Sequence, residues 1–206
     1  MFESFRRDLA RYWSLDSKDG KPSVVEKLRI LFHSPQVQAI AVYRFGNWVH
    51  KNVKPKPARI PLKLAYHVVE KVTHAMWGIH IDEGAEIGPG FYLGHAGDIM
   101  IGPVIIGKDC NCSTQVKLGK RSDYKGTMGV PKIGDRVYIG SGAIVFGGIE
   151  IGAGATIGPL TVVGRNVAPK SMVLGNPMQV VKREWDNTHQ IYGLGTPPDT
   201  GEVTLG

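Results

Sequence analysis

Seven histidines are the first side chains in this sequence able to move a proton near neutral pH: His33, His50, His67, His74, His80, His95 and His189. Most fall where the pattern is helical, and packing or surface exposure accounts for them. His95 differs. It stands in LGHAGD, two positions after Leu93 and beside Gly94 and Gly97, so its ring should project from a turn or outer face that another molecule can approach. A neutral imidazole placed this way can act as a general base toward a hydroxyl, a role that contributes ~10²–10⁴ in rate. Spacing alone leaves an incidental surface histidine as the favoured alternative. Cys110 and Cys112 form a lone C-x-C, a weak metal pattern without further ligand residues; core packing explains them better. GKRSDYKG lacks the spacing of a Walker-type phosphate loop. No metal is expected.

The elements that hold His95 follow from a repeat. Nineteen glycines lie within residues 84–164, and Ile133, Ile139, Val145, Ile151, Ile157 and Val163 are each six apart. Ile81, Ile87 and Leu93 keep the same interval; one extra residue slips the frame, which resumes at Ile106, Cys112 and Leu118. A six-residue period fits neither an amphipathic helix nor a simple alternating strand. It fits a coil of three short strands joined by tight turns, in which one aliphatic residue per side points inward and stacks on its counterpart three hexads along. Glycine is expected to supply the corner conformations that a Cβ disfavours. Cys112 occupies an inward slot, and Leu93 anchors the wall from which His95 projects. The period breaks at GKRSDYKGTMGVPK, a polar insertion expected to leave the coil as a loop over 119–132.

The rest of the chain frames this coil. Residues 1–79 read as a helical region, with helices expected over 24–32, 37–50 and about 62–76, and with Pro55, Pro57 and Pro61 breaking the stretch between the last two. The coil is expected over 80–181 and a tail over 182–206 that wraps a neighbouring surface or stays mobile. Of the net charge of +7, residues 1–79 carry +8 and residues 80–206 carry −1. The basic segment KNVKPKPARIPLK (51–63) is read as a solvated helical surface, with peripheral membrane or anionic glycan contact as the sharper alternative. No nucleic-acid motif accompanies it. The 206 residues, 42% of them hydrophobic, can bury a real core, and two cysteines are too few for a disulfide scaffold. With no apolar run near ~20 residues and no signal-peptide pattern at the start, the chain is read as cytoplasmic.

The hexad pattern resembles that of the hexapeptide-repeat acyltransferases, and that resemblance implies a mainly β, left-handed parallel β-helix preceded by an α-helical region. Over residues 78–181 the order of motifs is similar to the serine acetyltransferase family: IHIDEGAEIGPGFYLGHAGD, the loop, VPKIG, IGSGA and LGNPMQVV, after the helical lead SPQVQAIAVYRFGNW. The resemblance implies O-acyl transfer from acetyl-CoA, with His95 at the catalytic histidine. It places the donor along Gly140, Ser141, Ala143, Gly158 and Thr161, with Arg165 and Lys182 as phosphate partners, in a groove between subunits. A homotrimer, with trimers paired through the N-terminal helices, follows from the same family.

The departures from the pattern shape the expected acceptor. The family's aspartate just before the histidine is Gly94, and its aspartate fifteen residues upstream falls on His80, with Asp82 nearby as first choice for orienting His95 and Asp98 as second. Gly129 and Val130 replace the Arg-His pair that meets the amino acid's carboxylate. A zwitterion needs charged partners, since an unpaired carboxylate is costly to desolvate. The expectation is therefore acetylation of a sugar hydroxyl in a surface polysaccharide or its precursor. Serine O-acetylation through an altered pocket is the alternative, and a non-catalytic structural hexapeptide protein is the third reading.

Overall fold

A computed structural model describes residues 2–15, 22–120, 129–176 and 178–192, with the side chains of residues 189 and 190 left aside. Among these residues four helices come first: α1 Phe2–Leu15, α2 Val24–His33, α3 Pro35–Asn52 and α4 Lys56–Trp77. α2 is opened by a capping box, in which Ser23 accepts from the Glu26 backbone N–H while the Glu26 side chain accepts from that of Ser23. α4 begins earlier than the prolines suggest. Pro55 is its N-cap residue, Pro57 falls in the first turn, where no N–H is needed, and only Pro61 removes an internal donor. The sequence-based break over these prolines is corrected accordingly.

Among the described residues, fourteen short parallel strands then wind into three flat faces, and a fifteenth closes the end. The first face holds β1 (Ile79–Ile81), β4 (Ile99–Ile101), β7 (Lys117–Gly119), β10 (Ile144–Phe146) and β13 (Val162–Val163). The second holds β2 (Glu86–Ile87), β5 (Ile105–Ile106), β8 (Lys132–Ile133) and β11 (Glu150–Ile151). The third holds β3 (Tyr92–Leu93), β6 (Asn111–Cys112), β9 (Tyr138–Ile139), β12 (Thr156–Ile157) and β14 (Met172–Leu174), capped by antiparallel β15 (Gln179–Lys182). The coil is a left-handed parallel β-helix of about five turns.

The inward residues form three columns. Ile81, Ile101, Leu118, Val145 and Val163 stack in register on the first face; Leu93, Cys112, Ile139, Ile157 and Val173 stack on the third. All are buried, Cys112 among them, which bears out its reading as a core residue. The single-residue slip resolves into two opposite irregularities. From Leu93 to Ile101 the chain takes eight positions instead of six, and from Ile101 to Ile106 it takes five. The enlarged corner is the one that carries His95.

The glycines after the inward aliphatics have a different cause from the one expected. At Gly134 and Gly140 a Cβ would lie 2.7 Å from Ala153 N and 2.8 Å from Pro159 N, so close stacking of consecutive corners excludes it. Positive φ falls at other corner positions, several of them non-glycine, such as Asp98 (47°), Gln115 (60°) and Leu160 (55°).

The helices share the coil's core through Tyr12, Val37, Ile40 and Tyr43. The Tyr12 hydroxyl donates to Leu93 O at 2.9 Å and accepts from Leu93 N at 2.8 Å, which fixes the strand two residues before His95. The expected tail also folds back on its own chain. Trp185, Asn187 and Ile191 are buried, and α5 (Thr188–Tyr192) is held by Arg11, which donates to the carbonyls of Ile191 and Gly90 and to Asn111 Oδ1 at 2.7 Å. The extruded loop expected over 119–132 lies mostly outside the described residues, as does the end of the tail.

Candidate active site

His95 sits on the corner joining the third face to the first. Its backbone surroundings are pinned: Gly94 N donates to Cys112 O at 2.9 Å, and Ile99 N donates to Gly78 O at 2.8 Å. Gln36 Nε2 reaches Gly94 O at 3.3 Å, and Thr114 Oγ1 donates to Gly97 O at 2.9 Å. The ring itself is exposed, and among the described residues it has no hydrogen bond or ion pair. A rigid corner thus presents a free imidazole to solvent. At Gly94, where the family pattern has aspartate, a Cβ would meet nothing nearer than Ser113 Cα at 3.8 Å. The space is open and the acidic side chain is simply absent.

The corners after β3, β6, β9 and β12 lie one above the other and form a ridge. Ser113 N donates to Ile139 O, Gly140 N to Ile157 O and Gly158 N to Val173 O, at 2.8–2.9 Å, while Gly142 N reaches Thr114 O at 3.0 Å and Leu160 N reaches Ser141 O at 2.8 Å. Five of the residues expected to hold the donor, Gly140, Ser141, Ala143, Gly158 and Thr161, stand on this ridge with His95 below them. Ala143 and Thr161 are fully buried, backbone included, so they support the ridge from beneath and present no surface to a ligand in the single chain. Arg165 and Lys182 are exposed and lie off the ridge. Arg165 Nη2 donates to Met178 O at 2.9 Å, and Lys182 Nζ lies 5.1 Å from the centre of the Trp185 ring.

Each group expected to orient His95 has another partner within the chain. Asp82 follows β1 on the corner between the first and second faces, where its Oδ1 accepts from Gly84 N at 2.7 Å. Asp98 pairs with Lys117 Nζ at 2.8 Å. His80 turns its Nδ1 to Glu70 Oε1 at 2.6 Å. Sequence reasoning missed Glu70, because nothing in the helix pattern marks which face of α4 meets β1.

A cavity of about 560 Å³ opens on the corner between the first and second faces, lined by Lys120, Gly129, Val130, Lys132, Gly148, Ile149 and Glu150. It does not contain His95. Part of the basic N-terminal segment is neutralised within the chain, since Lys63 pairs with Glu83, and Lys51 lies 3.7 Å from Glu86. No helix among the described residues is long and apolar enough to cross a membrane.

Coil, hexad core and exposed corner histidine together define a hexapeptide-repeat transferase. Residues 131–165 match the family model for bacterial transferase hexapeptide (six repeats). The chain is 32% identical over 166 residues to the serine acetyltransferase of Mycobacterium tuberculosis, covering 80% of this chain and 69% of that one. It superposes on the crystal structure of serine acetyltransferase from Vibrio cholerae with a TM-score of 0.76 at 28% identity, covering 95% and 70%. A serine acetyltransferase solved in complex with CoA gives 0.70 at 25% identity, covering 87% and 69%. The chain belongs to the serine acetyltransferase family and is an acyltransferase that uses acetyl-CoA as its co-substrate.

These relatives overturn the expectation of a polysaccharide acceptor. That expectation took the loss of two polar side chains, at Gly129 and Val130, as loss of every charge able to meet a carboxylate. The cavity beside them keeps Lys120 and Lys132.

Proposed function

We propose that the protein transfers the acetyl group of acetyl-CoA to the hydroxyl of L-serine, with His95 as general base. The observation that carries this reading is the placement of His95, exposed and without a hydrogen-bond or ion-pair partner among the described residues, on the same ridge as the donor-site candidates. The imidazole takes the proton of the serine hydroxyl as its oxygen attacks the thioester carbonyl. The C–S bond then breaks, and the departing CoA sulfur receives the proton from the imidazolium. O-Acetylserine and CoA leave, and His95 returns to its neutral form. Backbone groups of Gly140, Ser141 and Gly158 line the pantetheine path, and Arg165 and Lys182 supply positive charge for phosphates at its end. Asp82 and His80 are held by other groups and are assigned no direct contact with the acceptor.

Lys120 and Lys132 are assigned to the serine carboxylate. They stand on a different corner from His95, so a complete site requires a second subunit to bring the two together. A homotrimer supplies that arrangement. Outward apolar residues on the strands, Met100, Ile105 and Ile144, give flanks suited to subunit contact, and the exposed stripe Ile60, Leu64, Val68, Val72 and Met76 on α4 suits pairing of trimers. Light scattering should give a multiple of three times the 22.4 kDa chain mass.

The direct test is product identification by mass spectrometry after incubation with acetyl-CoA and L-serine. O-Acetylserine formed in step with free CoA is the expected result. CoA release that ignores added serine would overturn the assignment.

A further inference from the structure

Apart from the ridge, three side chains able to ligate a metal converge where α4 meets β1: Glu70, His74 and His80. We propose that they form a binding site for a divalent transition-metal ion of the zinc class. Glu70 and His74 are four residues apart on one helix and therefore share a face. α4 ends immediately afterwards. Gly78, with φ 64° and ψ 31°, donates its N–H to His74 O at 2.8 Å and turns the chain straight into β1, which brings His80 back onto the same face. His80 Nδ1 lies 2.6 Å from Glu70 Oε1, and the rings of His74 and His80 have centroids 5.6 Å apart. One ligand atom from each residue lies within 4.8 Å of the other two. Ligands bonded to zinc at ~2.0–2.2 Å in a tetrahedron are separated by roughly 3.3–3.6 Å, so His80 Nδ1 and Glu70 Oε1 must part from their 2.6 Å contact while His74 stays within the 4.8 Å bound, adjustments that side-chain rotation supplies.

The chemistry of the donors selects the ion. Two imidazoles and one carboxylate suit zinc and its neighbours better than magnesium or calcium, which take mainly oxygen ligands. Three protein ligands leave a fourth position open. The negative end of the α4 dipole favours a cation at this last turn. The Glu70 and His80 side chains are 14% and 33% exposed, and His74 is exposed, so the site is supported from behind and open in front. Without metal, a hydrogen bond joins His80 to Glu70; an ion that takes both as ligands must displace it. A simple pair of Glu70 with His80 would need no third residue. His74 therefore distinguishes a metal site from an ion pair. The ion would clamp the helical region to the first strand of the coil, on elements that do not carry His95.

The test uses the full chain without a polyhistidine tag, freed of metal by a chelator and then dialysed. Co²⁺ is titrated and followed by visible absorption, and Zn²⁺ by calorimetry and thermal unfolding. The expected result is one ion per chain, a tetrahedral Co²⁺ spectrum abolished by Zn²⁺, and a rise in Tm with Zn²⁺. His74→Ala should weaken Zn²⁺ at least ~10-fold and remove the Tm response; His74→Gln, a polar replacement on an exposed helix surface, serves as the folding control. Undiminished Zn²⁺ affinity in both His74 variants, or no saturable binding by the wild-type chain, would overturn the proposal. Either outcome is independent of serine acetylation.

Discussion

Asp8 and Arg44 form a buried two-point ion pair: Arg44 Nε lies 2.9 Å from Asp8 Oδ2, and Nη2 lies 3.1 Å from Oδ1. The pair also grips the coil. Asp8 Oδ1 accepts from Gly90 N and Phe91 N at 2.8 and 2.9 Å, while Arg44 donates to Ile87 O and Gly88 O at 2.6 and 2.7 Å. Two helices are thereby fastened to the turn that feeds β3, and β3 leads directly to His95.

Removing one member leaves the other charged and buried. Asp8→Ala should therefore cost ~3–5 kcal/mol in urea unfolding, and Arg44→Ala a similar amount. The double variant Asp8→Ala with Arg44→Ala should cost clearly less than the sum of the two single losses, with a residual loss because Gly90 N, Phe91 N, Ile87 O and Gly88 O are left without their partners. If the double variant loses the sum of the two single losses, the coupling described between these residues is wrong.

Glu83 gives a pH signature. Burial pushes its carboxyl up, but the hydrogen bond and charge of Lys63, and then His50, outweigh burial and hold it below the ordinary carboxylate value. A carboxylate depressed in the folded state contributes stability that is fully present above its unfolded pKa. That contribution is lost as pH falls through the lower folded value. Lys63→Ala should therefore lower Tm at pH 7 and change it much less once the medium is acid enough to protonate Glu83. A Tm difference independent of pH across the acid range would contradict this account.

The two cysteines should be inert while the chain is folded. Both are buried, and burial pushes the Cys110 thiol up to about 12 and the Cys112 thiol well above its ordinary value. Since the thiolate is the reactive form, a thiol-detecting reagent should find neither in native protein and both after denaturation. Rapid reaction of either thiol in buffer would show that the coil core is open.

The hexad period made the coil legible because each inward slot is a core position, from Ile81 through Val163, and Cys112 could be read by its slot alone. Its glycines were legible as a pattern but not by cause: Gly134 and Gly140 answer to the backbone of the next corner, at Ala153 and Pro159, each nineteen positions further along the chain. The prolines misled because Pro57 costs nothing in a first helical turn. His95 was visible through its position after Leu93. Its relation to Gly140 and Gly158 was not, since those corners stack only once the eight- and five-position irregularities around Ile101 are known. The acceptor was misjudged because the chain at Gly129 and Val130 shows what is missing there and not that Lys120 and Lys132 line the same cavity.

Proton removal from the serine hydroxyl by His95 is the step on which the proposed reaction depends. The measurement is serine-dependent CoA release by the wild-type chain and by His95→Ala, at saturating acetyl-CoA, with Tm and acetyl-CoA affinity recorded alongside. A fall in turnover of ~10²–10⁴ is expected with donor binding retained, and a Tm that scarcely moves because the exposed ring has no hydrogen bond or ion pair among the described residues. Turnover within a few-fold of wild type would contradict it.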